Sequence, residues 1–204
     1  MPRTQEQTDQ IKEERKDEIV RKSLYLFALN GFGAVKIDDI TNASKISHGL
    51  FYHYFKTKDA VFHSVMGYCH SLMEDVWESI NLEQEPKYLI HDIINIIFSR
   101  LKDKNTDFAC TLYLILSFYI RQEKLPRPPK LDKPKHKRLY DYLIESISKG
   151  QEQGEFNEGN PQEYTIAILA MVKDLSFSRI LLGPKKFICP DSQIVMNMLL
   201  KQTA

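Results

Sequence analysis

Apolar positions in this chain recur with the period of an α-helix, and strand patterns with regular turn signals are missing. The pattern predicts a first helix over about 9–30, following an arm at 1–8 that is expected to be disordered. Eight further helices are predicted over 38–44, 48–55, 58–81, 86–103, 106–124, 135–152, 161–182 and 191–202. The chain is therefore expected to be all-α, with about nine helices.

Local signals mark several helix ends. Thr57 is placed to cap the helix that follows it, and Asn160-Pro161 joins a capping side chain to a proline in the first helical turn. Gly31 can supply the left-handed residue that ends the first helix, and Gly183-Pro184 should end the eighth. These signals are independent of the apolar period and agree with it.

The best domain boundary lies near residue 58, where short helices give way to long ones. We expect a small head over residues 1–58 and a larger helical body over 59–204. A chain of 204 residues buries roughly 70% of its unfolded surface, which suffices for this arrangement.

The two short helices of the head have an apolar back and a polar front. Ile40 and Phe51 turn inward, while Ser47 can cap the second helix and leave His48 and Tyr52 on its front. Two turns of helix suit the width of the DNA major groove. The segment at about 37–55 is therefore predicted to be a helix-turn-helix that reads DNA.

Charge adds little to this interpretation. The net charge is only +1, and residues 36–58 hold four lysines against two aspartates. A nucleic-acid site must therefore be a local patch, and the pattern of residues carries the prediction.

The head carries four groups of residues with a specific combined pattern: Leu26, Phe27, Gly31, Phe32; then Ile37, Asp39, Ile40; then Ile46, Ser47, Gly49, Tyr52, Tyr54, Phe55; then Lys56, Lys58, Asp59. In this pattern, residues 16–65 closely resemble the TetR family of bacterial transcriptional regulators. The resemblance implies an N-terminal three-helix DNA-binding head on a helical ligand-binding and dimerisation body. Beyond residue 65 the likeness is one of helix number and length.

The resemblance also implies roles for particular side chains. Base edges or nearby sugars would be faced by Ser47, His48, Leu50 and His53. Phosphates would be contacted by Tyr52, Tyr54, Lys36 and Lys58, and Gly49 would allow close approach of the backbone. The alternative is that the aromatic residues only pack a small helical subdomain, which we favour for Phe51 and Phe55.

Three positions depart from the family's pattern. Ser44-Lys45 stands where an Ala-Gly pair is usual, Lys36 replaces a hydroxyl cap, and Leu50 replaces a hydroxyl residue. A left-handed Lys45 would cost about 1 kcal/mol. Leu50 can touch a thymine methyl but cannot hydrogen-bond a base. These changes bear on the operator sequence rather than on DNA binding.

The last two helices carry apolar residues on more than one face, as expected of a pair that buries one face in a homodimer. The interface candidates are Phe177, Ile180, Leu181, Ile194, Val195 and Met198. A monomer with a thick core is the alternative.

Aromatic residues are frequent in the middle helices, and polar-tipped aromatics suit a small-molecule pocket. The pocket candidates are Trp77, Tyr113, Phe118 and Phe177, although such residues are more often ordinary core. Few charges are predicted inside the body, so the effector should be mostly hydrophobic.

Other chemistry finds little support. No nucleophile motif, phosphate loop or dinucleotide fingerprint is present, so no enzyme activity and no cofactor is expected. Three dispersed cysteines, Cys69, Cys110 and Cys189, suggest neither disulfides nor zinc. One predicted helix carries His63, His70 and Glu74, but a metal site needs three or four convergent ligands and no HExxH motif or cysteine cluster is present. The polar N-terminus and the short apolar runs favour a cytoplasmic protein without a membrane span.

The proline-rich segment 121–138 holds eight Lys or Arg against two acids. It is read as a solvated loop, with a second nucleic-acid patch as the alternative. The function expected overall is a dimeric repressor that binds a palindromic operator and is released by a small molecule. A transcriptional activator, or a small-molecule-binding protein whose head does not read DNA, are the alternatives.

Overall fold

The computed structural model describes residues 5–121, Pro126 and residues 139–201; for residues 119–121 it describes the backbone alone. Within these ranges the chain forms nine α-helices: α1 (Gln5–Asn30), α2 (Ile37–Ser44), α3 (His48–Tyr54), α4 (Lys58–Glu78), α5 (Pro86–Lys102), α6 (Asp107–Arg121), α7 (Leu139–Glu152), α8 (Pro161–Lys186) and α9 (Gln193–Leu199). The only strand-like pairing in the described part is an isolated bridge between Phe156 and Leu200. The predicted all-α fold with nine helices is confirmed.

The described residues divide into two compact units. The N-terminal unit comprises the chain up to Ser71 and takes in α6 from Phe118 onward; the C-terminal unit comprises residues 72–117 and the chain from α7 on. The functional boundary expected near residue 58 stays a prediction.

The N-terminal unit is built on α1. Its residues Ile19, Leu24 and Phe27 are fully buried, at the helical spacing expected of one inward face. The Phe27 ring meets that of Phe62 on α4 at a centroid distance of 5.7 Å in an edge-on arrangement. This aromatic contact packs α1 against the beginning of α4.

The first helix begins earlier than its apolar pattern suggests. Residues 5–8, which were expected to belong to a disordered arm, form the first turn of α1, and residues 5–15 are exposed. Pairs one turn apart support this stretch: Gln10 bonds Glu14 at 3.0 Å, and Lys16 bonds Glu13 at 3.3 Å. The remainder of the arm, residues 1–4, lies outside the described residues.

The C-terminal unit is organised around α5. Its inward face packs against α7, α8 and α9 and is formed by Leu89, Ile90, Ile93, Ile94, Ile97, Phe98 and Leu101. The end of α9 is tied to the connection between α7 and α8, since the Asn157 amide donates to the Leu199 carbonyl at 2.7 Å. The Lys201 amide donates in turn to the Glu155 carbonyl at 3.0 Å.

Helix α8 begins and ends at the signals that the sequence predicts. The Asn160 side chain accepts a hydrogen bond from the Gln162 amide at 2.9 Å, with Pro161 in the first turn. Gly183 breaks the helix with φ 70° and ψ 173°, so the regular part ends where Gly183-Pro184 predicts. Most of the basic segment 121–138, and the predicted start of the following helix, lie outside the described residues.

Candidate DNA-binding head

The turn between α2 and α3 contains a non-glycine residue in the left-handed conformation. Lys45 has φ 53° and ψ 47°, which confirms the conformation expected if Lys45 occupies the usual glycine position. Its amide donates to the Asn42 carbonyl, and the Ile46 amide donates to the Thr41 carbonyl at 3.0 Å. These two bonds close α2 and offset a conformational cost of about 1 kcal/mol.

Helix α3 has the two-faced character that its sequence predicts. Phe51 is fully buried and Phe55 nearly so, which confirms their packing role. Ser47 caps the helix, because its Oγ accepts a hydrogen bond from the Leu50 amide at 3.2 Å. The outward face is formed by exposed residues, with Leu50 37% and Tyr52 44% accessible: His48, Gly49, Leu50, Tyr52 and His53.

Gly49 stands on this outward face without a steric reason inside the chain. A Cβ built on Gly49 would meet only the Ser47 Oγ, at an ordinary 3.9 Å. The folded chain therefore does not demand glycine here. Close approach of an external partner remains the prediction for this position.

His48 is the residue of α3 that is linked to α2. Its Nε2 lies 3.2 Å from Oδ1 of Asp38, and both side chains are exposed. This contact restricts the orientation of the imidazole and leaves Nδ1 for another partner.

The start of α2 is closed by Asp39. The Lys36 amide donates to the Asp39 carboxylate at 2.7 Å, in the manner of half a capping box. The carboxylate thus replaces the missing hydroxyl cap, and the exposed Lys36 side chain is not needed for it.

The start of α4 is more closely bound to the head than expected. Thr57 caps it, since its Oγ1 accepts from the Ala60 amide at 3.1 Å, and Lys56 donates to the Tyr52 carbonyl at 3.0 Å. The Lys58 ammonium is directed inward, at 2.8 Å from both the Phe32 and the Val35 carbonyl oxygens. Its expected phosphate contact stays a prediction, and its structural contacts were not foreseen.

Tyr54 is half-buried and its ring lies edge-on to that of His53, with centroids 5.2 Å apart. Tyr52 is similarly set edge-on to Phe51 at 5.4 Å. Both tyrosines therefore combine packing with access to solvent, so the two roles weighed for them are compatible.

The structure brings together only part of the predicted effector pocket. Tyr113 and Phe177 stack in the C-terminal unit, with centroids 5.0 Å apart and planes at 26°. Trp77 is paired instead with Tyr142, which was not among the predicted pocket residues, at a centroid distance of 4.9 Å. Phe118 belongs to the N-terminal unit, where it contacts Phe62 at 5.8 Å.

An open cleft of about 380 Å³ lies within the N-terminal unit, between α1 and α4. None of the predicted pocket residues lines it; its wall is formed by Lys16, Asp17, Val20, Arg21, Ser64, Gly67, Tyr68 and Ser71. Arg21 stands over the Tyr68 ring at 5.7 Å. The lining of this cleft combines polar and apolar residues, whereas the pocket expected in the body is mostly hydrophobic.

The residues proposed for dimerisation divide into two groups. Val195 is completely buried within the protomer and Ile180 nearly so, which corrects their assignment to an exposed face: both are core residues. Leu181, Ile194 and Met198 are exposed, and Phe177 is half-buried. Ile166 is 59% exposed and lies on the same face of α8 as Phe177 and Leu181, at spacings of 11 and 4 residues.

Among the described residues, no three His, Cys, Asp or Glu side chains are grouped so that they could hold a metal ion. Burial raises the pKa of the Cys189 thiol, and Cys69, Cys110 and Cys189 form no disulfide. No helix in the described ranges is both long and apolar enough to cross a bilayer.

The fold and this site define a class of protein: an all-α chain with an N-terminal helix-turn-helix head on a larger helical body. Residues 19–65 match the family model described as bacterial regulatory proteins, tetR family. The head of this chain is therefore similar to the head of that family.

Individual known proteins are also similar to this chain. The uncharacterized HTH-type transcriptional regulator YerO of Bacillus subtilis (strain 168) is 31% identical over 102 residues, which cover 48% of this chain and 35% of that protein. The match thus spans about a third of that relative's length. A mutant of HlyIIR has a TM-score of 0.65 at 17% identity, covering 99% of this chain and 100% of the other.

AibR, in a structure with isovaleryl coenzyme A and operator DNA, has a TM-score of 0.66 at 19% identity and covers 90% of this chain and 95% of its own. At these identities, the two solved structures show the fold alone. They extend the likeness from the head to the helical body.

Proposed function

We propose that this protein is a ligand-responsive transcriptional regulator that binds a palindromic operator as a homodimer. The observation that carries the proposal is α3, a capped two-turn helix with a buried aromatic back and an exposed polar front. A helix of this kind presents side chains to base edges in the major groove. Lys36, Lys45 and Lys56 are exposed around it and supply the local cations that phosphates require.

Dimerisation follows from the exposed apolar face of α8 together with Ile194 and Met198 of α9. Ile166 and Leu181 are each 59% exposed, although both are large aliphatic residues. Large aliphatic side chains exposed in this way are stabilised when self-association covers them. Two heads related by a twofold axis would then read two half-sites about one helical turn apart.

The effector is proposed to be a mostly hydrophobic small molecule that binds the C-terminal unit beside the stacked Tyr113 and Phe177. AibR, which shares the fold, is seen with isovaleryl coenzyme A and operator DNA together. We propose that an effector which binds the DNA-free conformation more tightly than the DNA-bound one releases the operator. Release corresponds to a repressor; an operator placed upstream of a promoter would instead give activation.

The proposal is tested by titrating the purified protein against a pool of random short duplexes, followed by selection and sequencing at two salt concentrations. We expect a palindrome to be enriched, with a binding constant that falls as salt rises. Clean dimeric protein that enriches no sequence, even after extraction of copurifying small molecules, would contradict the proposal. It would favour a ligand-binding protein whose head does not read DNA.

Replacement of His48 with alanine should change the base preference at one position of each half-site. His48 is exposed on α3 and is oriented by Asp38, and loss of one base contact costs about 1–3 kcal/mol at that position. The selection described above, repeated with the variant, measures the change. His91→Ala is the matched control, because His91 also pairs with an adjacent carboxylate, at 3.4 Å from Asp92, but lies in the C-terminal unit. An unchanged preference for His48→Ala would remove this residue from the reading face.

A further inference from the structure

Lys58 makes long-range contacts that a phosphate-binding lysine does not need. Its ammonium donates to the carbonyl of Phe32, 26 residues earlier, and to that of Val35, 23 residues earlier, both at 2.8 Å. It also lies 4.2 Å from the centroid of the Phe32 ring. All three contacts are with the loop that joins α1 to α2, inside the N-terminal unit.

Backbone amides at both ends of this loop are held by hydrogen bonds. At the end of α1, the Gly31 amide donates a hydrogen bond to the Phe27 carbonyl at 3.0 Å. At the start of α2, the Lys36 amide donates to the Asp39 carboxylate at 2.7 Å. Between them, Val35 is buried, and the Phe32 and Val35 carbonyls are turned toward Lys58. An ammonium has three N–H donors, so two of the three are used on the loop.

We propose that Lys58 is a positioning residue: it fixes the α1–α2 loop to the first residue of α4 and thereby sets the orientation of α2 and α3. The loop leads directly into α2. The turn at Lys45 connects α2 to α3 and is fixed by hydrogen bonds to carbonyls at the end of α2. A change at the start of α4 is thus transmitted to the reading helix through a charged, partly buried contact. This inference rests on the proposed function, and it gives Lys58 a role other than the phosphate contact implied by the family resemblance.

The two roles predict different measurements. A lysine that neutralises a phosphate contributes to the slope of log K against log salt, about 0.9 for each contact in duplex DNA. A lysine that orients the head changes the affinity by the same factor at every salt concentration. It also changes the protection of the loop in protein that has no DNA bound.

The test compares Lys58→Met, Lys58→Ala, Lys58→Arg and Lys36→Ala. The methionine variant keeps an unbranched stem over the Phe32 ring and removes the donors, which favours a folded product; a normal far-UV spectrum would establish this. Hydrogen exchange of the DNA-free protein is then followed in peptides covering residues 31–40. Peptides from α5 and α8 serve as internal references.

We expect exchange in residues 31–40 to be about tenfold faster or more in Lys58→Met and Lys58→Ala, and largely restored in Lys58→Arg, which keeps N–H donors. Lys36→Ala should leave it unchanged, because Asp39 accepts from the backbone of Lys36. In DNA titrations, Lys58→Met should weaken binding by about tenfold without changing the salt slope, whereas Lys36→Ala should lower the slope by about 0.9.

Unchanged exchange in both donor-free variants would overturn the positioning role. A slope lowered by about 0.9 in Lys58→Met, with unchanged exchange, would establish a phosphate contact in its place. Because the exchange experiment uses protein alone, it still decides the inference if the parent protein enriches no operator. The failure of one proposal is therefore distinguishable from the failure of the other.

Discussion

Replacing Leu181 with aspartate is expected to convert the proposed dimer to a monomer and to weaken binding to the proposed palindromic operator by at least about a hundredfold. Leu181 is 59% exposed on the face of α8 that also carries Ile166 and Phe177. In a dimer with this face at its centre, the aspartate would be a desolvated charge without a partner. A monomer reads one half-site and loses the effective concentration of the linked second head, typically a factor of 10² to 10⁴.

Sedimentation at several protein concentrations measures the first effect, and duplex titration measures the second. Gln162→Glu is the matched control, because it adds the same charge to an exposed position of α8 that is polar already. We expect that control to remain dimeric and to bind the operator normally. If Leu181→Asp were still dimeric at micromolar concentration, the apolar face of α8 could not be the interface.

The parts of the fold that could be predicted are those fixed by local chemistry. Ser47, Thr57 and Asn160 cap their helices as expected, because a capping side chain bonds an amide only two or three residues away. A left-handed Lys45 was expected only on the condition that this residue takes the place of the glycine in the family's pattern, and its φ is 53°.

Contacts between distant segments could not be predicted in this way. Lys58 was expected to face a phosphate, yet its ammonium bonds carbonyls more than twenty residues earlier in the chain. Nothing in a lysine's immediate neighbours indicates that two carbonyls of a remote loop will be turned toward it. The outward residues of α3 were easier to identify, since the burial of Phe51 fixes the rotation of that short helix.

Helices with two apolar faces are the second source of error. The sequence of α8 and α9 allows either face to be the inner one, so Ile180 and Val195 were grouped with Leu181 and Ile194. The structure separates these pairs, because neighbouring residues on a helix differ by about 100° in direction. The predicted pocket residues were uncertain for a similar reason, because an aromatic side chain packs equally well against a core or a ligand. Of the four predicted, Tyr113 and Phe177 stack on each other.

Arg179 of α8 is buried, which the sequence does not indicate. Its replacement should strongly reduce the stability of the protein. The side chain is fully buried, and its Nε donates to the Leu101 carbonyl at 2.9 Å. Its Nη2 donates to the carbonyls of Asp103 at 2.5 Å and Lys104 at 3.2 Å. The guanidinium therefore satisfies carbonyls at the end of α5 and in the turn that follows. Burial lowers the pKa of this guanidinium, while Cys110 and Asp103 act in the opposite direction.

We expect Arg179→Ala to reduce the free energy of unfolding by about 3–5 kcal/mol, the range for truncating a large, fully buried side chain. Two contributions add: carbonyls that lose a donor, and the cavity left by a large side chain. Urea unfolding followed by the fluorescence of Trp77, the single tryptophan, reports on the same unit. Lys173→Ala, on the same helix, should change stability by less than about 0.5 kcal/mol.

Arg179→Met separates the two contributions, because methionine fills most of the volume and donates no hydrogen bond. Nη1 of Arg179 has no partner, so the native arrangement already includes an unsatisfied donor, and methionine removes that penalty. If the lost carbonyl bonds dominate, Arg179→Met should still be destabilised by about 2 kcal/mol or more. If both variants unfolded with the stability of the parent, the carbonyls at the end of α5 would be hydrated equally well without arginine, and the proposed role of Arg179 in closing α5 would be wrong.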